Sequence, residues 1–421
     1  MQSNTLYQKV ASYEAKKGEV KSVALMYSGG LDTSVILKWL QDEYNVDVYT
    51  VTFDIGQTSD DLVAVQKKAL KFGAKKAIVI DHKDAFANEV LSKAIKANAK
   101  YQNEYFISCP LGRASISKKM AEIAEELKVD AVAHGCTGKG NDQVRFEGYL
   151  LTFAPDIKII APVREWSMGR DEELKYAKKH GIETVQSENK IYSYDENMWG
   201  NCIEGGVTED LEKIPPLSEM LRICNPPEKA PDTPEFIEIT FEKGIPVSLN
   251  SEKISLAKII MKLLKIGATH SIGVHHCIED RLVGLKVREV YEQPAAEILI
   301  KAHKSLEMLV CSRDENEYKE HIDQKWAYMA YGALYYHPLM NHLNAYIDSV
   351  NEKVNGKVTV KIYKGTCEIV ALESPYALYD KNLSTFYKNT AFNQNCSAGF
   401  ISIYTGQMRL AHKVKEQNAS K

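Results

Sequence analysis

Residues 23–34 read VALMYSGGLDTS. Val23, Ala24, Leu25, Met26 and Tyr27 form an apolar run of strand length. Ser28, Gly29 and Gly30 interrupt it, and Val35, Ile36, Trp39 and Leu40 then recur at helical spacing. The segment reads as strand, tight turn, helix. Two adjacent glycines let backbone N–H groups approach an anion with no Cβ in the way. Ser28, Thr33 and Ser34 add hydroxyl donors. The helix start adds the positive end of its dipole. Such a loop suits pyrophosphate; a plain Gly-Gly turn is the bland alternative. A Walker A loop is disfavoured, because its nearest approach, Gly138-Lys139-Gly140, has Gly where Ser or Thr must follow Lys.

Outward from this stretch, strands and helices alternate. Strands are expected over 46–53, 77–81, 131–133 and 157–161, and helices over 62–72, 85–99, around 120–127 and over 172–179. Such βα repetition predicts an α/β fold with a parallel sheet covered by helices on both faces. Ligands on such sheets bind beyond the carboxyl ends of the strands. Both SGGLDTS and the later HGCTGKGNDQVRFE (134–147) leave strands at that edge. The rhythm changes after about residue 185. A proline-bearing irregular stretch runs over 188–234, strands flank 243–246, a helix follows over 254–266, and a hairpin is expected over 357–363 and 366–372. The domain expectation is a polar N-terminal tail (1–20), a nucleotide-binding domain (21–185), a second α+β domain (186–385) and a C-terminal arm (386–421).

The length of 421 residues accommodates two domains. With 53 basic and 56 acidic side chains the net charge is −3, so no polycationic footprint favours nucleic acid. The eight cysteines are scattered without a C-x-x-C pair, which indicates neither a zinc site nor a redox dithiol. The first twenty residues lack an apolar signal-peptide core, and no 18-residue apolar run occurs. A cytoplasmic chain with reduced thiols and no membrane span is expected. His275-His276 is not read as a metal pair, because neighbours on a strand face opposite ways, and Cys136 is read as a packed thiol.

SGGLDTS resembles the pyrophosphate loop of the N-type ATP pyrophosphatases. HGCTGKGNDQVRFE resembles the signature of one family in that group, the argininosuccinate synthases. Further similar segments are YQNEYFISCPLGR, SYDENMWG, IEDRLVGLKVREVYE, GKVTVKIYKG and ESPYALYD, so the resemblance runs from Val23 to Asp380. It implies a synthetase and multimerisation domain after the nucleotide-binding domain, a C-terminal oligomerisation arm and a homotetramer. It also implies an ATP-dependent ligase that condenses citrulline with aspartate through a citrulline–adenylate, releasing AMP and pyrophosphate, in arginine biosynthesis. ATP with Mg²⁺ is then a substrate, with no tightly bound cofactor and no dedicated protein metal site. The alternative reading is another adenylating enzyme on the same loop, such as a tRNA thiolase.

Carried over by position, the resemblance assigns ATP binding to Met26, Tyr27, Ser28, Gly29, Gly30, Leu31, Asp32, Thr33, Ser34, Phe53 and Gly135. Thr137, Asn141 and Asp142 are assigned to aspartate, with Asp142 close to its amine and able to anchor it or accept its proton. Tyr105, Asn141, Arg145, Ser193, Cys202, Glu279 and Tyr291 are assigned to citrulline. Asp32, Asp142 and Arg113 are the expected catalytic residues. No side-chain nucleophile is needed, because the substrates supply both nucleophiles. Two positions depart from the family pattern: Cys202 stands where serine is usual, and Pro110 where a hydroxyl residue is usual.

Overall fold

The computed structural model describes residues 7–58, 61–166, 168, 170–182, 192–387 and 391–419. The chain forms two units, Met1–Tyr376 and Ala377–Lys421. In the first unit a five-stranded sheet is built from β1 (Ser22–Met26), β2 (Asp47–Asp54), β3 (Lys76–Asp81), β4 (Ala131–Ala133) and β5 (Lys158–Ile160). Its order is β3-β2-β1-β4-β5, and every pairing is parallel. Sequence order therefore runs outward in one direction from β1 and resumes on its other side with β4. That reversal opens a crevice between the ends of β1 and β4, where a doubly wound sheet binds ligand. Alternation along β1 explains the layering. Val23, Leu25 and Tyr27 face one core, shared with Val35, Ile36 and Leu40 of the helix Leu31–Tyr44. Ala24 and Met26 face the other, shared with Leu111 and Ala114 of the helix Ser108–Leu127.

Of the stretch expected to be irregular over 188–234, residues 188–191 lie outside the described residues, and 192–234 is more ordered than its prolines imply. It contains β6 (Ser193–Asn197) and β7 (Gly200–Glu204), a hairpin that turns at Met198-Trp199. Trp199 is fully buried and donates its indole N–H to the Phe106 carbonyl at 3.0 Å. After β8 (Glu235–Glu242), β9 (Ile245–Leu249) and β10 (Glu252–Lys253) come β11 (Val274–Asp280) and β12 (Lys286–Glu292), and later β13 (Gly356–Tyr363) and β14 (Thr366–Glu373). They form two antiparallel sheets, β11-β12-β7-β6 and β10-β9-β8-β13-β14. Four long helices, Leu256–Thr269, Pro294–Val310, Arg313–Tyr331 and Pro338–Asn351, lie between these strands in sequence.

Residues 7–20 differ from the expected free tail. Glu14 bridges Ile159 in parallel register, and Ala15 is fully buried. The polar composition is satisfied locally, since the Glu14 carboxylate accepts the N–H groups of Val10 and Ala11 at 2.9 and 3.0 Å. The second unit holds the helices Cys396–Tyr404 and Gly406–Ala419. Among the described residues no helix is long and apolar enough to cross a membrane.

Candidate active site

A cleft of about 800 Å³ lies at the carboxyl ends of β1 and β4. At one end is the loop after β1. Gly29 has φ +78, a conformation natural to glycine, and a Cβ there would stand 2.7 Å from Val65 Cγ2. Gly30 is extended and caps the helix Leu31–Tyr44 without any side-chain cap, so the positive end of that helix faces the loop. Ser28 Oγ and Thr33 Oγ1 are 3.2 Å apart, and Ser34 Oγ donates to the Gly30 carbonyl at 2.6 Å. The hydroxyl network thus fixes the loop as well as presenting donors. Gly29→Ala is expected to cost about 1–2 kcal/mol from backbone strain. Gly30→Ala, whose Cβ meets only Ser28 Oγ at 3.5 Å, is expected to leave stability unchanged. Thermal unfolding of the two variants checks the contrast.

The loop after β4 supplies the centre of the cleft. Asp142 opens the helix Asp142–Phe153 and receives Arg113 Nε at 2.9 Å and Arg145 Nη1 at 2.9 Å. Arg113 also pairs with Asp195 on β6. Burial would push the Asp142 carboxyl up, but the charges of Arg113 and Arg145 outweigh it and hold the group at about 2. A carboxylate held so low is an anchor for an ammonium and a poor base, because base catalysis wants a value near the operating pH. Arg145 is 4% exposed and committed on all sides: Nε and Nη2 donate to the Tyr331 carbonyl at 3.2 and 3.1 Å, and its guanidinium lies 4.9 Å from the Tyr331 ring centre.

The far end is acidic. Glu279 on β11 accepts the hydroxyls of Tyr291 and Tyr331, each at 2.6 Å. Glu289 on β12 accepts Tyr291 at 2.9 Å, the Cys202 thiol at 2.8 Å and Arg281 Nη2 at 2.8 Å. Arg281 also reaches Glu204 at 2.5 Å. Antiparallel register produces this cluster, since Cys277 faces Glu289 and Tyr291 faces both His275 and Cys202. Arg281 pairs with two of the three carboxylates, Glu204 and Glu289, while Glu279 is held by the two tyrosine hydroxyls. Burial, followed by the neighbouring Glu279 charge, pushes Glu289 up; burial and Glu289 do the same to Glu204. Such a pocket favours a cationic group, which relieves the repulsion.

The cleft is lined by most of the residues assigned from the sequence: Met26, Tyr27, Ser28, Gly30, Leu31, Asp32, Thr33, Phe53, Gly135, Tyr105, Arg113, Thr137, Asn141, Asp142, Arg145, Ser193, Cys202 and Glu279. Gly29, Ser34 and Tyr291 are not among its lining residues; Ser34 and Tyr291 are fully buried and orient other groups. Asp195, Glu204, Arg281 and Glu289 also line it. Asp195 lies in SYDENMWG, and Arg281 and Glu289 lie in IEDRLVGLKVREVYE, but none of the three was assigned a role; Glu204 lies outside every such segment. Tyr331 was equally silent, yet its hydroxyl also accepts Asn141 Nδ2 at 2.8 Å. Among the described residues no group of three His, Cys, Asp or Glu side chains is arranged to hold a metal ion.

Two family profiles cover this architecture. The Arginosuccinate synthase N-terminal HUP domain matches residues 22–183, and the Arginosuccinate synthase C-terminal domain matches residues 192–411. The chain belongs to the argininosuccinate synthase family. Relatives named argininosuccinate synthase include that of Pyrococcus furiosus, 48% identical over 93% of this chain and 94% of the relative. Another is that of Oceanobacillus iheyensis, 46% identical over 91% of this chain and 92% of the relative. A third, from Brevibacillus brevis, is 46% identical over 94% of each. A solved U34-tRNA thiolase from Methanococcus maripaludis is 18% identical, with a TM-score of 0.27 over 40% of this chain and 60% of that chain.

In this argininosuccinate synthase family member the two departures have local explanations. Cys202 donates its thiol to Glu289, the role a serine hydroxyl would fill. Pro110 sits in the first turn of Ser108–Leu127, where its missing N–H has no helical partner to lose. The neighbouring Cys109 N–H donates to the Tyr105 hydroxyl at 3.0 Å. Ile107, just before that helix, has φ +48, unusual for a β-branched residue. Such strain clusters at functional sites.

Proposed function

We propose that this chain is an ATP-dependent carbon–nitrogen ligase that joins citrulline to aspartate, releasing AMP and pyrophosphate. The observation that carries the reading is a single cleft holding a pyrophosphate loop after β1, an ammonium anchor after β4 and an acidic pocket from β11 and β12. The triphosphate lies on the Ser28–Ser34 loop with the adenine toward Phe53. Citrulline sets its α-ammonium in the Glu279 pocket, which leaves its neutral ureido group for the α-phosphorus. The ureido oxygen attacks there and pyrophosphate leaves. Aspartate, held by Thr137, Asn141 and Asp142, then attacks the activated ureido carbon through its amine, and AMP departs. Asp142 holds the ammonium in place, but its low pKa makes it a weak acceptor of the proton that this attack must release. Catalysis comes from positioning and from charge stabilisation on the phosphates.

Magnesium would arrive with ATP, since this ion keeps waters and phosphate oxygens and takes few protein ligands. Asp32 is the carboxylate of the loop suited to it. A cytoplasmic setting fits eight free cysteines. A homotetramer fits the second unit, in which Phe400, Ile403 and Tyr404 are 64%, 86% and 73% exposed; a neighbouring subunit would cover them. Deleting residues from Phe400 onward is therefore expected to reduce the assembled mass in light scattering, and an unchanged mass would remove the arm from assembly. The activity test is direct. Sustained release of pyrophosphate is expected only with ATP, Mg²⁺, citrulline and aspartate together, with at most one equivalent per site when aspartate is omitted; release of orthophosphate and ADP would reject the ligase.

A further inference from the structure

Residues 7–20 precede the family match, which begins at residue 22. They are nonetheless tied to the loop assigned to aspartate. Glu14 is 6% exposed, accepts the Tyr7 hydroxyl and stands 3.7 Å from Arg164 Nη2. Arg164 follows β5 in the short helix Pro162–Glu165. Its Nη1 donates to Gln143 Oε1 at 3.0 Å and lies 2.7 Å from Glu147 Oε1. Gln143 Nε2 in turn donates to the carbonyls of Gly138 at 2.7 Å and Gly140 at 3.3 Å. Gln143 and Arg164 are not among the residues that line the cleft.

We infer that Arg164 and Gln143 are positioning residues for the aspartate loop, and that Glu14 steadies Arg164 from outside the family domain. The chemistry is directional. A glutamine amide can present either oxygen or nitrogen. The guanidinium only donates, so it holds Oε1 and forces Nε2 toward the two loop carbonyls. Those carbonyls are thereby turned onto Gln143 and away from the cleft, where they would repel a substrate carboxylate. Two acids, Glu14 and Glu147, flank the guanidinium and keep it from swinging toward solvent. Burial would push Glu147 up, yet His134 and Arg164 outweigh it and keep it below the ordinary carboxylate range. It remains charged beside Arg164.

This inference rests on reading residues 134–147 as the aspartate loop, so its test has one arm that needs no activity. Gln143→Glu keeps the shape but sets a carboxylate oxygen against the two carbonyls. In the ligand-free protein, amide hydrogen exchange over residues 135–141 is expected to accelerate roughly tenfold, as for the loss of one or two hydrogen bonds. In turnover the KM for aspartate is expected to rise by about the same factor, with the KM for ATP and kcat within about twofold. Glu14→Gln is expected to raise the aspartate KM by about threefold, and the double variant to match Gln143→Glu alone, since both act along one path. Gln143→Met serves if the carboxylate prevents folding. Unchanged loop exchange overturns the inference. So does faster exchange with an unchanged aspartate KM, or an equal rise in every KM. An enzyme without ligase activity would instead reject the function, and the exchange arm would still decide the positioning.

Discussion

Asp142→Asn is expected to lower kcat/KM for aspartate by roughly 10²–10³-fold, the scale for truncating one partner of a hydrogen-bonded charge pair. The charge is what matters. At about 2 the carboxyl is ionised throughout the useful pH range, and it alone faces both Arg113 and Arg145. Asparagine preserves the shape but gives an incoming ammonium no counter-charge and leaves two guanidinium groups sharing Asp195 and a carbonyl. Because the Asp142 side chain is 27% exposed, solvent softens the loss, and the lower end of the range is expected. ATP affinity, set by the loop after β1, is expected to stay within about threefold. Steady-state kinetics with each substrate varied in turn checks this. A uniform loss for all substrates would mean that Asp142 maintains the fold rather than the aspartate site.

Glu279→Gln is expected to raise the KM for citrulline by about 10²-fold, again the loss of a buried charge opposite an ammonium. Glu279 is 4% exposed and receives two tyrosine hydroxyls at 2.6 Å, so its geometry is fixed before substrate arrives. The amide would keep one acceptor and place an N–H pair against the second hydroxyl, with a stability cost of about 1 kcal/mol. Isothermal titration with citrulline, run beside a nucleotide titration, separates the two effects. Normal citrulline binding would move the ammonium to Glu289 or Glu204. These two variants act at the centre and at the far end of the cleft, so their contrasting substrate dependence distinguishes two amino-acid sites from one.

The parallel sheet and its loops were legible because β1 and β2 are short apolar runs, bounded by glycine, polar turns or the next helical period. The same rule fails for Arg313–Tyr331, whose sequence is mostly polar. It buries Lys319 and Asp323 beside Trp326, and Lys319 is compensated by Glu307 at 2.8 Å and Asp323 at 2.7 Å. An ion-paired face breaks the hydrophobic period. Its readable mark was local: Ser312 and Glu315 form a capping box. That helix brings Tyr331 to the cleft, so missing it meant missing a site residue. The β6–β7 hairpin was hidden by a similar cause, since Asp195 is spent on Arg113. The N-terminal stretch read as a free tail because the partner of the Glu14 carboxylate, Arg164, is 150 residues away in sequence. Motif residues were found where one loop carries the chemistry. Glu204, which lies outside every segment similar to the family, follows only from the pairing of β7 with β12.

The most direct test of the central claim follows the oxygen. Citrulline labelled with oxygen-18 in its ureido group is supplied with ATP, Mg²⁺ and aspartate, and the products are read by mass spectrometry. Attack of the ureido oxygen on the α-phosphorus, followed by amine displacement at carbon, transfers that oxygen to the nucleotide. One labelled oxygen per AMP, with unlabelled pyrophosphate in equal amount, is the predicted result. Unlabelled AMP, or the label in orthophosphate beside ADP, would contradict it.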